Sequence, residues 1–80
     1  MSKEQYKKQI VDLRAKILKE REAKKRDNEN YARNIKNATS PLTKASYRKS
    51  KIDRATSHDR TIESYKRQIE SCKSSIERLN

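Results

Sequence analysis

The fold of this chain is decided at Asn37-Ala38-Thr39-Ser40-Pro41-Leu42-Thr43, which holds the only proline in a sequence of 80 residues that contains no glycine. Proline has no amide proton and its ring collides with the carbonyl four residues back, so a helix that arrives at this stretch must end before it. Proline fits the first turn of a new helix, and Ser40 can act as an N-cap whose hydroxyl accepts a free backbone amide. The sequence therefore predicts a first helix over about 3–37, a turn at 38–40 and a second helix over about 41–79.

The predicted fold class is all-α, an antiparallel two-helix hairpin that forms one domain over residues 1–80. One long helix kinked at Pro41 is the alternative. Charged residues make up 41% of the chain and hydrophobic residues 30%, a composition typical of a coiled coil rather than of a globular enzyme. Disorder competes at this hydropathy, but the regularly spaced Ile, Leu and Tyr residues argue against it.

The first predicted helix carries a narrow apolar stripe whose spacings of four and three residues are typical of a coiled-coil seam. The stripe residues are Tyr6, Ile10, Leu13, Ile17, Tyr31 and Ile35. Between its two parts the same positions are polar and are occupied by Glu20, Lys24 and Asp27. Val11 and Leu18 lie beside the stripe and indicate a second contact surface, such as another hairpin.

The second predicted helix begins with a polar segment and then carries the more regular stripe. Its positions are Ala55, His58, Ile62, Tyr65, Ile69, Cys72, Ile76 and Leu79. Both helices advance equally from the elbow, so folding there pairs positions whose numbers sum to about 82. The apolar neighbours expected from this register are Leu13 with Ile69, Ile10 with Cys72, Tyr6 with Ile76, and Ile17 with Tyr65 and Ile62. The expected ion pairs are Glu20 with Arg60, Lys24 with Asp59, and Asp27 with Arg54, and His58 is expected as a polar seam residue beside Lys24 and Asp59.

A two-helix stripe leaves one side of each layer exposed, and small scaffolds without a disulfide or a metal usually need oligomerisation. We therefore expect a dimer of hairpins that forms a four-helix bundle, or docking onto another helical protein. The residues predicted for this interface are Tyr6, Ile10, Leu13, Ile17, Tyr31, Ile35, Ile52, Ile62, Tyr65, Ile69, Ile76 and Leu79. A small helical partner of a type VII secretion toxin is a further alternative, which the lack of a Trp-x-Gly elbow and the positive charge disfavour.

The chain carries a net charge of +11, from 22 basic and 11 acidic side chains. Such an excess attracts phosphates, acidic proteins or anionic surfaces. Around the elbow the sequence has seven basic residues and only one acidic residue, Asp53. Nucleic-acid binding by this basic hairpin tip is therefore the second candidate function. The predicted binding residues are Arg33, Lys36, Lys44, Arg48, Lys49, Lys51 and Arg54. Tyr47 lies among them and could stack on a base.

The sequence holds no nucleophile with a base, no paired catalytic carboxylates and no Gly-rich phosphate loop, so we expect no enzyme, no cofactor and no small-molecule substrate. Cys72 and His58 lie fourteen residues apart, roughly 21 Å along one helix, so they cannot share a metal within one chain. Cys72 is expected to be a small core residue. The N-terminal residues lack the apolar segment of a signal peptide and the stripes are narrow, so we expect a cytoplasmic protein with no membrane partner.

The elbow and the residues after it read Ala38-Thr39-Ser40-Pro41-Leu42-Thr43-Lys44-Ala45-Ser46-Tyr47-Arg48-Lys49-Ser50-Lys51-Ile52. This segment resembles the Ser/Thr-rich turn of the helical hairpins at the N-terminus of many bacterial effector proteins, including TIR-domain NADases of anti-phage defence. In those hairpins a basic first helix leads to a turn of the type Ser-Pro-Ser-Thr and to alternating Ser and Lys; here Leu42 replaces the second small hydroxyl residue. The resemblance implies a self-association or recognition module that gathers effector domains. The TIR fold and its catalytic glutamate are absent, so no enzymatic residue is carried over.

Overall fold

The computed structural model describes residues 1–79 and consists of two long α-helices packed side by side. Helix α1 spans Lys3–Asn37 and helix α2 spans Pro41–Arg78. The molecule measures 61 × 15 × 12 Å. A single helix of this many residues would extend to roughly 120 Å. The kinked single helix is therefore wrong, and the predicted all-α antiparallel hairpin is confirmed.

The chain reverses direction without glycine because the elbow uses extended backbone. Ala38 has φ −71° and ψ 136°, and Ser40 has φ −94° and ψ 133°. The residue before a proline prefers this region of backbone space, so Pro41 itself favours the conformation of Ser40. No residue among 1–79 has a positive φ. A break at 38–40 thus needs only conformations that any side chain can adopt.

The two N-caps differ in what their side chains do. Ser2 forms a capping box with Gln5: the Gln5 backbone N–H donates to Ser2 Oγ at 3.3 Å, and the Ser2 N–H donates to Gln5 Oε1 at 2.8 Å. Ser40 occupies the N-cap position of α2, but its hydroxyl makes no capping bond, so the prediction for this side chain is wrong. Pro41 already removes one of the unpaired amides, and the exposed Ser40 hydroxyl can bond water instead.

Replacing these serines should therefore have unequal effects. We expect Ser2→Ala to lower the free energy of unfolding by roughly 0.5–2 kcal/mol, the usual range for removal of a side-chain cap. Ser40→Ala is the matched control and should cost much less, because this side chain makes no capping bond. Thermal unfolding followed by far-UV circular dichroism measures both; equal effects would contradict the assignment of the caps.

The hydrophobic core lies entirely in the open half of the hairpin, away from the elbow. Its buried members, each 6–8% exposed, are Ile10, Leu13, Ile17, Ile62, Ile69 and Cys72. Three further residues pack against them: Tyr6, Tyr65 and Ile76. The two predicted stripes thus meet inside one molecule, and Cys72 is a core residue as predicted.

Four residues of the predicted interface lie outside this core. Tyr31 and Ile35 are half-buried nearer the elbow, and Ile52 and Leu79 are exposed. Ile52 is 65% exposed, because at this level Lys51 occupies the half-buried side of α2 and the next residue, Ile52, points away from it. Leu79 is 50% exposed, since it follows the last helical residue as the C-cap. Among residues 1–79, no helical stretch combines the length and the apolar character that a membrane span requires.

Candidate functional site

Between the core and the elbow the seam is polar, and α1 and α2 are joined there by ion pairs. We call this cluster the polar seam; its residues are Glu20, Lys24, Asp27, Arg54, His58 and Asp59. Lys24 Nζ lies 2.7 Å from Asp59 Oδ1, and Arg54 Nε lies 3.4 Å from Asp27 Oδ2. Two of the three predicted ion pairs, and the register that places them, are therefore confirmed.

The third ion pair was predicted with the wrong partner. Glu20 does not pair with Arg60; its Oε1 lies 2.5 Å from His58 Nδ1. The other ring nitrogen, Nε2, lies 2.6 Å from Asp27 Oδ2. His58 stands opposite Lys24 in the register, so its ring reaches the carboxylates about one helical turn to either side, whereas Arg60 is exposed. His58 is a seam residue as predicted, but its partners are two acids rather than Lys24 and Asp59.

This geometry favours the charged form of His58. An ionised carboxylate can only accept hydrogen bonds, so the ring donates to both carboxylates only when it carries a proton on each nitrogen. The hydrogen bonds to Asp27 and then to Glu20 raise the pKa of His58 above its ordinary value of 6.5, although burial opposes this. The hydrogen bond from His58, followed by the charge of Arg54, lowers the pKa of Asp27 below 3.8. Below its raised pKa, His58 is therefore an imidazolium between two carboxylates.

The same arrangement is unsuited to a metal ion. The two carboxylates approach opposite nitrogens of the His58 ring, so their oxygens do not converge with a ring nitrogen on one point. No group of three or more His, Cys, Asp or Glu residues within 1–79 is placed to hold a metal. Cys72 lies elsewhere, in the core, where its Sγ donates to Gln9 Oε1 at 3.3 Å.

The hairpin brings the predicted nucleic-acid-binding residues to one end of the molecule, which we call the basic tip (residues 30–52). Of the seven predicted residues, Arg33, Lys36, Arg48, Lys49 and Arg54 are exposed, and Lys44 and Lys51 are half-buried. Arg54 lies just outside the tip and is already paired with an acid in the polar seam.

Tyr47 is placed differently from the prediction. Its ring faces that of Tyr31 across the hairpin, with centroids 6.5 Å apart and planes tilted by 53°, and both residues are half-buried. This pair holds α1 and α2 together at the base of the tip. Tyr47 is therefore not a free platform on which a base could stack.

A third surface lies on the outside of α1. Val11 is 63% exposed and Leu18 is 58% exposed, and the exposed Ala15 lies between them. Their spacings of four and three residues place them on one face of the helix. We call this set the outer stripe. The sequence predicts a second contact surface at Val11 and Leu18, and the structure leaves their side chains exposed.

No protein-family model, curated protein or solved structure matches this chain. Its function must therefore be inferred from the polar seam, the basic tip and the outer stripe.

Proposed function

We propose that this chain is a non-catalytic helical interaction module that associates with a second copy of itself through the outer stripe. The exposure of Val11 and Leu18 carries this proposal. The core residues of the seam are only 6–8% exposed, so the hairpin already covers the stripes from which the sequence predicts the interface. A partner must therefore meet the outside of α1, and four helices would assemble side by side rather than around a shared seam.

The charges that flank the outer stripe favour an antiparallel arrangement of the two copies. A two-fold axis between residues 14 and 15 sets Val11 opposite Leu18 of the second copy. The same axis sets Glu4 opposite Lys25 and Lys7 opposite Glu22, and all four side chains are exposed. A parallel arrangement would instead place like charges opposite each other, which is unfavourable. Charge complementarity thus supports a second copy in antiparallel orientation as the occupant.

The association should be weak and should strengthen with salt. Two large aliphatic side chains per copy give little apolar area compared with the roughly 1,200 Å² or more that stable interfaces bury. Two chains of charge +11 also repel each other, and this repulsion is screened as the ionic strength rises. We therefore expect a monomer–dimer equilibrium that depends on protein concentration and shifts towards the dimer in salt.

Leu18→Lys is expected to abolish this dimer, because it places a charge in the centre of the apolar contact and adds to the repulsion. Leu42→Lys is the matched control: Leu42 is 81% exposed at the elbow, far from the outer stripe, so the same substitution should leave the equilibrium nearly unchanged. Sedimentation equilibrium over a range of protein and salt concentrations measures both variants. A wild-type chain that stays monomeric throughout, or equal behaviour of the two variants, would contradict the proposal.

The orientation has its own control. Glu4→Lys should weaken the dimer, and Glu4→Lys combined with Lys25→Glu should restore it, because the two substitutions exchange the partners of one antiparallel pair. In a parallel dimer the double variant would restore nothing.

The resemblance of the elbow to hairpins of bacterial effector proteins fits this proposal. A weakly self-associating hairpin would bring attached effector domains together, with any catalysis located outside residues 1–80. If the wild-type chain is monomeric at every concentration, docking onto another helical protein becomes the better explanation of the outer stripe.

A further inference from the structure

Charge is segregated along the long axis of the hairpin. The basic tip, residues 30–52, contains six basic side chains and no acidic one. Residues 20–29 and 53–61, which form the middle of the hairpin, contain six of each sign. The open end again carries both signs. More than half of the net charge of +11 therefore lies at the tip, where no acid offsets it.

The structure leaves these six charges without an anionic partner. Every Lys and Arg that forms an ion pair within the described part of the chain lies outside residues 30–52. The side chain of Arg33 donates to the neutral Asn30, which leaves its charge uncompensated. The six residues are Arg33, Lys36, Lys44, Arg48, Lys49 and Lys51. Because α1 and α2 run side by side here, the fold places all of them within one end of the molecule.

We propose that the basic tip binds the phosphate backbone of nucleic acid without reading its sequence. The α2 part of the tip, residues 41–52, is roughly 18 Å long, and about ten phosphates of a duplex lie along that length. Lys44, Arg48 and Lys51 follow one another at spacings of four and three residues and form a row along one side of α2, in which Arg48 is exposed and Lys44 and Lys51 are half-buried. A row of cations along a rod matches a polyanion of regularly spaced charges.

One observation indicates that the contact is with the backbone rather than the bases, and a second disfavours a lipid surface. Tyr47 is engaged by Tyr31, which leaves the tip without an aromatic side chain free to stack, so the contact is electrostatic and independent of base sequence. The exposed aliphatic residues of the tip, Leu42 and Ile52, lie roughly 15 Å apart along α2, with no other exposed large aliphatic side chain between them. They do not form the broad apolar face with which an amphipathic helix inserts into a lipid surface.

The test compares two triple variants of equal net charge. Arg33→Gln, Arg48→Gln and Lys49→Gln remove three exposed charges from the tip, and Arg60→Gln, Arg67→Gln and Lys19→Gln remove three exposed charges elsewhere. Each protein is titrated against a labelled duplex of about 20 base pairs, and the anisotropy is measured between roughly 50 and 200 mM salt. Far-UV circular dichroism shows that each variant keeps its helices.

We expect the wild-type affinity to fall as salt rises and the tip variant to bind about tenfold more weakly or worse, with a salt slope reduced by about one for each phosphate that is no longer neutralised. The control variant should bind nearly as well as the wild type, and two duplexes of unrelated sequence should bind alike. Equal weakening in the two variants would mean that net charge alone attracts the duplex and would overturn the proposal. Preference for anionic lipid vesicles over the duplex would overturn it as well.

Duplex binding and self-association respond to salt in opposite ways. Salt should weaken duplex binding and strengthen self-association, so the two can be distinguished. Leu18→Lys should leave binding to the duplex in place, because the outer stripe and the tip lie in different halves of α1. A chain that binds the duplex but never dimerises would therefore refute the proposed function and leave this inference standing.

Discussion

Leu13→Asp is expected to unfold the hairpin at neutral pH. Leu13 is 7% exposed and belongs to a core of only six buried residues. Removing a buried leucine forfeits about 1.5–3 kcal/mol of apolar burial, and a carboxylate in its place must be desolvated without a partner. A scaffold of this size rarely gains more than about 3–5 kcal/mol from its core. The substitution should thus consume the whole stability, and far-UV circular dichroism should report the loss of most of the helical signal.

Leu18→Asp, on the same helix, is the matched control. Leu18 is 58% exposed, so the same chemical change removes little burial, and the carboxylate stays in water. We expect the helical signal and the melting temperature of the monomer to remain close to those of the wild type, while association is abolished. If Leu13→Asp stayed fully helical with an unchanged melting temperature, the packing of α1 against α2 would be contradicted.

The elbow and the core could be predicted from the sequence because the rules that fix them are local. Pro41 is disfavoured inside the first helix and fits the first turn of the second. The spacing of Leu13 and Ile69 within their stripes fixes which faces meet. Once both are known, the register follows from counting residues away from the elbow. This is why residue numbers alone are enough to pair Lys24 with Asp59.

The details of the candidate site could not be predicted in this way, because they depend on side-chain conformation. Counting places His58 opposite Lys24, but it does not show that the ring turns towards Glu20 and Asp27 while Lys24 bends to Asp59. A usable signal was present: a histidine on the seam with acids seven residues apart on the facing helix. The engagement of Tyr47 by Tyr31 likewise depends on ring orientation, which periodicity does not encode.

The stability of the hairpin is expected to fall as the pH rises above 6.5, because of His58. The pKa of His58 is raised above 6.5 in the folded chain, so between 6.5 and that higher value the folded state binds more protons than the unfolded state. The free energy of unfolding then decreases with increasing pH. The contribution of His58 is complete below pH 6.5 and disappears as the pH passes through the folded-state pKa. Asp27 acts in the opposite direction at low pH, since its lowered pKa removes stability as the pH falls below 3.8 towards the folded value.

The charges that face His58 support a pKa that is raised in the folded state. On α1 the ring meets Glu20 and Asp27, with Lys24 between them, and on α2 its charged neighbours are Arg54 and Asp59. Both cations are bound to acids in the seam, so the two carboxylates that touch the ring dominate its surroundings. A neutral ring would keep a proton on only one nitrogen, so one of these two acids would lose its hydrogen bond to the ring and the polar seam would lack one bridge between the helices.

His58→Gln isolates this effect, because the chain contains no other histidine. Melting temperatures measured from pH 6 to pH 9 should decline in the wild type and stay much flatter in the variant. The single histidine also gives a single imidazole signal in an NMR titration, whose midpoint should lie above 6.5 in the folded protein. A midpoint at or below 6.5, or an equal decline in both proteins, would show that His58 does not link the helices through its charge.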